Sequence, residues 1–171
     1  MKGYVQVYTG EGKGKTTAAF GLALRAAGAG LRVFIAQFVK GLDYSELRAL
    51  KRFDDLIELK QYGRGCFIFG KPVEDDVAAA RQGLAELKQI ISTGEYNVVI
   101  LDEANIATHY NLLSADDLME LINMKPEHVE LVITGRYAHE KIIDRADLVT
   151  EMREVKHYYS KGIEARKGIE K

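Results

Sequence analysis

Apolar positions along this chain fall into two kinds of run. Short runs rich in Val and Ile at residues 4–8, 32–38, 56–60, 97–101, 130–134 and 148–151 have the length of strands. Longer stretches at 16–29, 45–53, 73–93, 114–124 and 140–146 read as helices. Their ends carry the expected punctuation. Gly28 and Gly30 stop the first helix, Pro72 precedes the long third and Gly94 follows it. Ser114 is placed to cap the fourth, and Pro126 closes it. The run Val98-Val99-Ile100-Leu101 has no polar face, which suits a strand buried on both sides. Strand and helix alternate throughout. That order predicts an α/β fold with a mostly parallel sheet of about six strands and helices on both faces.

No linker-like composition shift and no repeat of 20–50 residues divides the chain. Residues 1–171 are therefore expected to form one domain, with 156–171 as a polar, locally basic tail. Within that tail Lys161-Gly162-Ile163-Glu164 is echoed by Lys167-Gly168-Ile169-Glu170, a repeat too short to be a structural unit.

Composition narrows the function. Lys and Arg number 24 against 25 Asp and Glu, a net charge of −1, so there is no global basic field to hold nucleic acid or an anionic membrane. No apolar run approaches the ~20 residues of a membrane span. The start lacks a signal-peptide layout, and a cytoplasmic protein is expected. One cysteine, Cys66, excludes an internal disulfide and has no His or Cys near it in sequence. The four histidines show no metal-ligand spacing.

Three of the 16 glycines crowd into residues 10–14. The segment Gly10-Glu11-Gly12-Lys13-Gly14-Lys15-Thr16-Thr17 follows the first strand and opens the first helix, where a phosphate-binding loop belongs. Glycine lets backbone N–H groups turn toward phosphate oxygens, and the helix N-terminus adds unpaired donors. Lys15 is placed to reach phosphates, and the Thr16 hydroxyl to ligate Mg²⁺ or Mn²⁺. The strict pattern G-x-x-x-x-G-K-[ST] needs a glycine at position 9, which is Thr9; Gly10 is one place late. Glu11 beside an anion is expected to face solvent or to serve metal or ribose chemistry.

Asp102-Glu103 ends the apolar strand, where a carboxylate can hold Mg²⁺ directly or through water. Glu103 is alternatively a general base for water. Other features keep two readings each. Arg136 in Thr134-Gly135-Arg136 is a phosphate contact or a structural arginine. The loop from Tyr62 to Lys71, with Cys66, Phe67, Ile68 and Phe69 at its centre, is an apolar ligand wall or a packing loop. Asn105, Thr108, His109 and Tyr110 are substrate contacts or part of a connecting loop.

The ordered motifs resemble the ATP:corrinoid adenosyltransferases of the cobalamin-pathway type. They include Gly10 through Gly21, Gln37-Phe38-Val39-Lys40-Gly41, Leu101-Asp102-Glu103, Ile133-Thr134-Gly135-Arg136, and the tail from Val155 to Glu170. The resemblance implies a RecA-like fold, a homodimer, and transfer of the 5′-deoxyadenosyl group of ATP to Co(I) of a reduced corrinoid, with triphosphate leaving. The nucleotide then lies reversed relative to ordinary phosphate-loop ATPases, which suits the displaced first glycine. Carried over, Gly12, Gly14, Lys15, Thr16 and Thr17 hold phosphates, Thr16 and Glu103 position Mg²⁺, and Arg136 binds triphosphate. Cobalt being the nucleophile, no protein nucleophile is required. The family displaces the lower cobalt ligand with a loop that aligns with residues 65–70. Its aromatic pair falls on Cys66 and Ile68, with Phe67 and Phe69 alongside. The family's N-terminal arm over the corrinoid is expected to be missing, leaving a more open site or one closed by the tail. A flavoprotein reductant is implied by the family alone. A phosphate-loop kinase or ATPase releasing ADP, and a non-catalytic nucleotide- or corrinoid-binding module, remain the alternatives.

Overall fold

The computed structural model describes residues 2–65 and 72–170. Six strands form one all-parallel sheet: β1 (Val5–Thr9), β2 (Val33–Lys40), β3 (Ile57–Gly65), β4 (Val98–Asp102), β5 (Glu130–Thr134) and β6 (Leu148–Glu151). Their order across the sheet is β3-β2-β4-β5-β1-β6. Because every strand runs the same way, all carboxyl ends share one edge. In such sheets that edge is where ligands bind.

Strand alternation sorts the core into two layers. On one face Val33 and Ile35 of β2, Val98 and Ile100 of β4 and Val132 of β5 pack under α1 (Lys15–Gly28), which buries Ala19, Phe20, Ala23, Ala26 and Ala27. Leu50 of α2 (Ser45–Leu50) joins this layer. On the other face Phe34, Ala36, Phe38, Val99, Leu101, Leu131 and Ile133 meet the remaining helices. These are α3 (Glu74–Thr93), α4 (Ala104–His109), α5 (Ala115–Met124) and α6 (Glu140–Arg145). β4 is buried at all five positions, as its unbroken apolar run predicts.

The expected punctuation is in place. Ser114 caps α5, its hydroxyl accepting from the Asp117 N–H at 3.1 Å while Asp117 Oδ2 accepts from the Ser114 N–H at 2.7 Å. Gly94 ends α3 in the left-handed region, φ 65°. Three local features depart from the sequence pattern. The helix expected over 45–53 is α-helical only to Leu50 and finishes as a 3₁₀ turn, Lys51–Phe53. The polar cluster after β4 is helical and forms α4. β3 runs on to Gly65, through a glycine that normally breaks a strand. Gly63 survives there because a Cβ would stand 2.5 Å from the Val39 carbonyl carbon and 2.7 Å from the Lys40 nitrogen. Two backbones touch, so only glycine fits. Among the described residues no helix is long and apolar enough to cross a membrane.

Two glycines on helices are expected to respond oppositely to substitution. A Cβ at Gly83 of α3 would meet the Tyr62 ring at 2.6 Å, at a ring atom that cannot swing aside. Overpacking costs about 1–3 kcal/mol and outweighs a helix-propensity gain of about 1 kcal/mol over glycine, which β-branched valine does not fully collect. Gly83→Val is expected to lose roughly 2 kcal/mol in urea unfolding. Gly21 of α1 is exposed, with nothing within 4 Å of its missing Cβ, so Gly21→Ala is expected to gain about 0.5–1 kcal/mol.

Candidate functional site at the carboxyl edge of the sheet

Strand register alone builds a polar row at this edge. Gln37 pairs with Asp102 and Leu101 with Ile133, so Gln37, Asp102 and Thr134 stand side by side on β2, β4 and β5. All three are completely buried and continue the sheet face that packs under α1. Asp102 is the centre. Its Oδ1 accepts from Thr16 Oγ1 at 2.8 Å and Thr134 Oγ1 at 2.7 Å. Its Oδ2 accepts from Gln37 Nε2 at 3.0 Å and Lys40 Nζ at 3.1 Å. Burial by itself would raise the Asp102 pKa. The Lys40 ammonium and the donated hydrogen bonds outweigh that and hold it below the ordinary carboxylate value.

Lys40 reaches this face against the rule of alternation. Residues 37 and 40 are three apart and would point to opposite sides of a regular strand. Val39 lies at φ 63°, a rare conformation for a β-branched residue, and the β2–β3 register shifts at the same place. Phe38 and Val39 consequently both pack on the α3 side, and Lys40 turns back toward Asp102. The strain sits at the site, as stored backbone strain commonly does. A second instance adjoins it. Glu103, first residue after β4, lies at φ 59° and caps α4, with its N–H donated to Thr134 Oγ1 at 3.0 Å. Its carboxylate lies 3.6 Å from Lys40 Nζ. Burial and the neighbouring Asp102 raise its pKa.

The glycine loop lies over this row, but its glycines serve a purpose the sequence did not show. A Cβ at Gly10 would stand 2.5 Å from the Met152 carbonyl oxygen, and one at Gly12 2.7 Å from it. Here glycine admits the segment that follows β6. The Gly12 N–H donates to Met152 O at 2.6 Å, and the Met152 N–H to Thr9 O at 2.8 Å. The Gly12 amide is thus engaged away from any phosphate cradle. The free donors are those of the first helical turn, Lys15, Thr16 and Thr17, whose N–H groups have no intrahelical partner; the Ala18 N–H makes the first helical bond, to Gly14 O.

The other site residues from the sequence are placed as follows. Lys15 is buried, its Nζ donating to Gly10 O and Gly12 O at 2.7 Å each. Burial, then nearby Arg136, lowers its pKa. Thr17 is exposed at the start of α1. Glu11 faces Arg136 across the mouth at 3.3 Å, so the two share an ion pair. Lys13 points away to the tail, with Ile169 O and Glu170 Oε1 each at 3.0 Å and Tyr158 Oη at 3.3 Å. Asn105 is fully buried and its Nδ2 donates to Gly135 O at 3.2 Å, while its Oδ1 has no hydrogen-bond partner among the described residues. Gly135 approaches it so closely that a Cβ would meet the Ile106 nitrogen at 3.0 Å. Tyr110 ends α4 half-buried against the core, and His109 beside it stacks on Tyr137 with ring centroids 4.2 Å apart. Cys66, Phe67, Ile68 and Phe69 lie outside the described residues.

Sequence reasoning missed Lys40, Gln37 and Thr134 as site residues. Residue order gave no signal for Lys40: a lysine at a strand end is ordinarily solvated, and only the turn at Val39 brings it to Asp102. Among the described residues no three His, Cys, Asp or Glu side chains gather as a self-sufficient metal cluster. Thr16, Asp102 and Glu103 do form a partial oxygen set. That suits Mg²⁺, which takes one or two carboxylates and completes its shell with phosphate and water.

A buried acid between a helix-opening threonine and a glycine loop is common to many nucleotide proteins and does not by itself choose among them. Comparison with known proteins does. The family model described as ATP:corrinoid adenosyltransferase BtuR/CobO/CobP matches residues 1–170. The corrinoid adenosyltransferase of Escherichia coli K12 is 36% identical over 169 residues, covering 99% of this chain and 86% of the relative. The Pseudomonas aeruginosa enzyme of that name is 35% identical, with coverage of 99% and 84%. Corrinoid adenosyltransferase CobA of Salmonella typhimurium is 36% identical, covering 99% and 86%. With the family model and these relatives matching nearly all its length, the chain belongs to the ATP:corrinoid adenosyltransferase family.

Proposed function

We propose that this protein transfers the 5′-deoxyadenosyl group of ATP to the Co(I) centre of a reduced corrinoid. Cobalt supplies the electron pair and attacks C5′. The C5′–O5′ bond breaks, its electron pair stays on the departing oxygen, and inorganic triphosphate leaves. The observation that carries the reading is a site that gathers Lys15, Arg136 and the open start of α1 at the carboxyl edge of the sheet, positive charge and hydrogen-bond donors suited to a triphosphate. Negative charge builds on the leaving triphosphate, so catalysis rests on holding and neutralising it as one unit.

In this reading the Lys15, Thr16 and Thr17 amides, the Lys15 ammonium and Arg136 receive the phosphates. Arg136 would exchange its ion pair with Glu11 for the nucleotide. Thr16 and Glu103 would hold Mg²⁺, with Asp102 fixing Thr16 from beneath; the ion supplies charge neutralisation on the phosphates. The residues fit that ion, since a hydroxyl and two carboxylates converge within one buried cluster. Lower-ligand displacement is assigned to the 65–70 loop, a homodimer to the assembly, and a flavoprotein to cobalt reduction, all on the strength of the family. A kinase or ATPase would share the phosphate loop but release ADP.

Incubation with ATP, Mg²⁺ and chemically reduced cobalamin is expected to yield the adenosylcobalamin spectrum and stoichiometric triphosphate. ADP as the product, or no alkylation across several corrinoids, would defeat the proposal. Lys15→Ala is expected to lower turnover by about 100-fold or more with the fold intact by circular dichroism.

Glu103 links the site to stability. Its raised pKa means that the folded state binds the proton more tightly, so its ionisation opposes folding. That penalty is absent below the unfolded pKa and fully present above the folded one. Asp102, depressed, has the opposite sign: its stabilisation is present above the unfolded pKa and lost as pH falls through the folded value. Glu103→Gln is therefore expected to unfold at higher denaturant than wild type at pH 8, with the gain vanishing by pH 4, while Mg²⁺-dependent ATP binding weakens.

A further inference from the structure

Lys40 Nζ lies 3.2 Å from Thr16 Oγ1, 3.1 Å from Asp102 Oδ2 and 3.6 Å from Glu103 Oε1. Thr16 and Glu103 are the side chains assigned to the divalent cation, and Asp102 is the carboxylate that fixes Thr16. The ammonium thus already stands among the oxygens a metal would take. It is held there by a strained backbone: Val39 at φ 63° turns it onto this face, and Gly41 and Gly63 permit the bulge by letting two strands touch, a Cβ at Gly41 falling 2.4 Å from Gly63 O. A regular β2 would send residue 40 to the opposite face. The consequence of the strain is the placement of one charge.

We propose that Lys40 is a positioning residue that acts as a resident counter-cation. It keeps Thr16, Asp102 and Glu103 converged before substrate arrives, then yields their shared position to the metal and follows the charge onto the triphosphate. The inference rests on reading Thr16 and Glu103 as the metal position.

Two physical requirements lead there. Asp102 is fully buried, and the Lys40 ammonium stands 3.1 Å from its Oδ2. A Mg²⁺ ion demands about 2.0–2.1 Å to each oxygen, so an ion on Thr16 Oγ1 and an ammonium on the same atom would stand in direct repulsion. One of them must leave when the other binds. Lysine is suited to the exchange: its ammonium is a compact point charge on a flexible stem, whereas a planar guanidinium would be fixed by its fork. Entry of metal with ATP brings new anionic oxygens beside Thr16, so the displaced ammonium has somewhere to go. Metal without nucleotide offers no such exchange. The device therefore favours the metal–nucleotide complex over bare metal.

Mn²⁺ is the probe, with binding read from the electron paramagnetic resonance signal of the free ion, on the full chain. Without nucleotide, Lys40→Met, which keeps the stem and removes the charge, is expected to bind Mn²⁺ at least about tenfold more tightly than wild type. Lys40→Arg, which keeps the charge, is expected to match wild type. With ATP present the order reverses, and Lys40→Met is expected to hold the Mn²⁺–ATP complex about tenfold more weakly. Unchanged or weaker Mn²⁺ binding by nucleotide-free Lys40→Met overturns the inference. Should that variant not fold, wild type decides: the Lys40 Cε–Hε resonance is expected to shift with Mg²⁺ and ATP together and to stay put with Mg²⁺ alone, and no shift with the complex refutes the exchange. Failure of wild type to bind Mn²⁺ with ATP removes the metal assignment itself. Normal binding with unaffected Lys40 variants removes only the exchange.

Discussion

A carboxylate with no exposure to water is the constraint around which this edge of the molecule is arranged. Asp102 sits in the middle of a parallel sheet, and an isolated buried charge there would cost more than a small domain can spare. Four donors meet it, one from α1, two from β2 and one from β5. The tie also fixes relations that matter beyond it. Thr16 is bound to Asp102, so the first turn of α1 is clamped to the strand it opens toward. Thr134 is bound to Asp102 and accepts from the Glu103 N–H, so the turn after β4 is clamped to β5. Gln37 in turn accepts from Gln61 Nε2 at 2.8 Å, which carries the network out to the edge strand. Neutralising this centre and aligning the site are one act.

The glycine loop answers to a second constraint, contact with the chain beyond β6. Met152 and Arg153 press on Gly10 and Gly12 with no room for a side chain. Farther on, Tyr158, Ile169 and Glu170 engage Lys13. Tyr158 Oη donates to Glu170, whose carboxylate is held low mainly by Arg166 and Tyr158. The polar tail is therefore a fitted partner of the loop. Gly10, one place later than the strict motif's first glycine, lies against the post-β6 segment, which fills the space beside the loop.

Much of the site was open to reading from residue order. A glycine cluster between strand and helix, followed by Lys15-Thr16, implies a phosphate loop because those features act locally along the chain. An acid ending an apolar run implies a cation partner because ionised side chains are seldom buried alone. Asn105 stands in a polar run, and residue order did not show that its amide reaches Gly135 beneath the surface. Gly12 is expected at phosphate on motif grounds, and its N–H donates to Met152, 140 positions later in the sequence. Neither pairing leaves a mark on local composition.

The sequence by itself determined the elements and the parallel direction of the strands, because helix and strand periodicity and capping act over a few residues and strand–helix alternation favours a parallel sheet. Only the tertiary structure decided that Gln37, Lys40, Asp102 and Thr134 converge. That depends on which strands lie side by side and in what register, and parallel neighbours are joined through long crossovers, so the pairing is non-local. The decisive detail is smaller still. Backbone strain at Val39 reverses one side chain, and whether a chain tolerates such strain depends on the contacts around it.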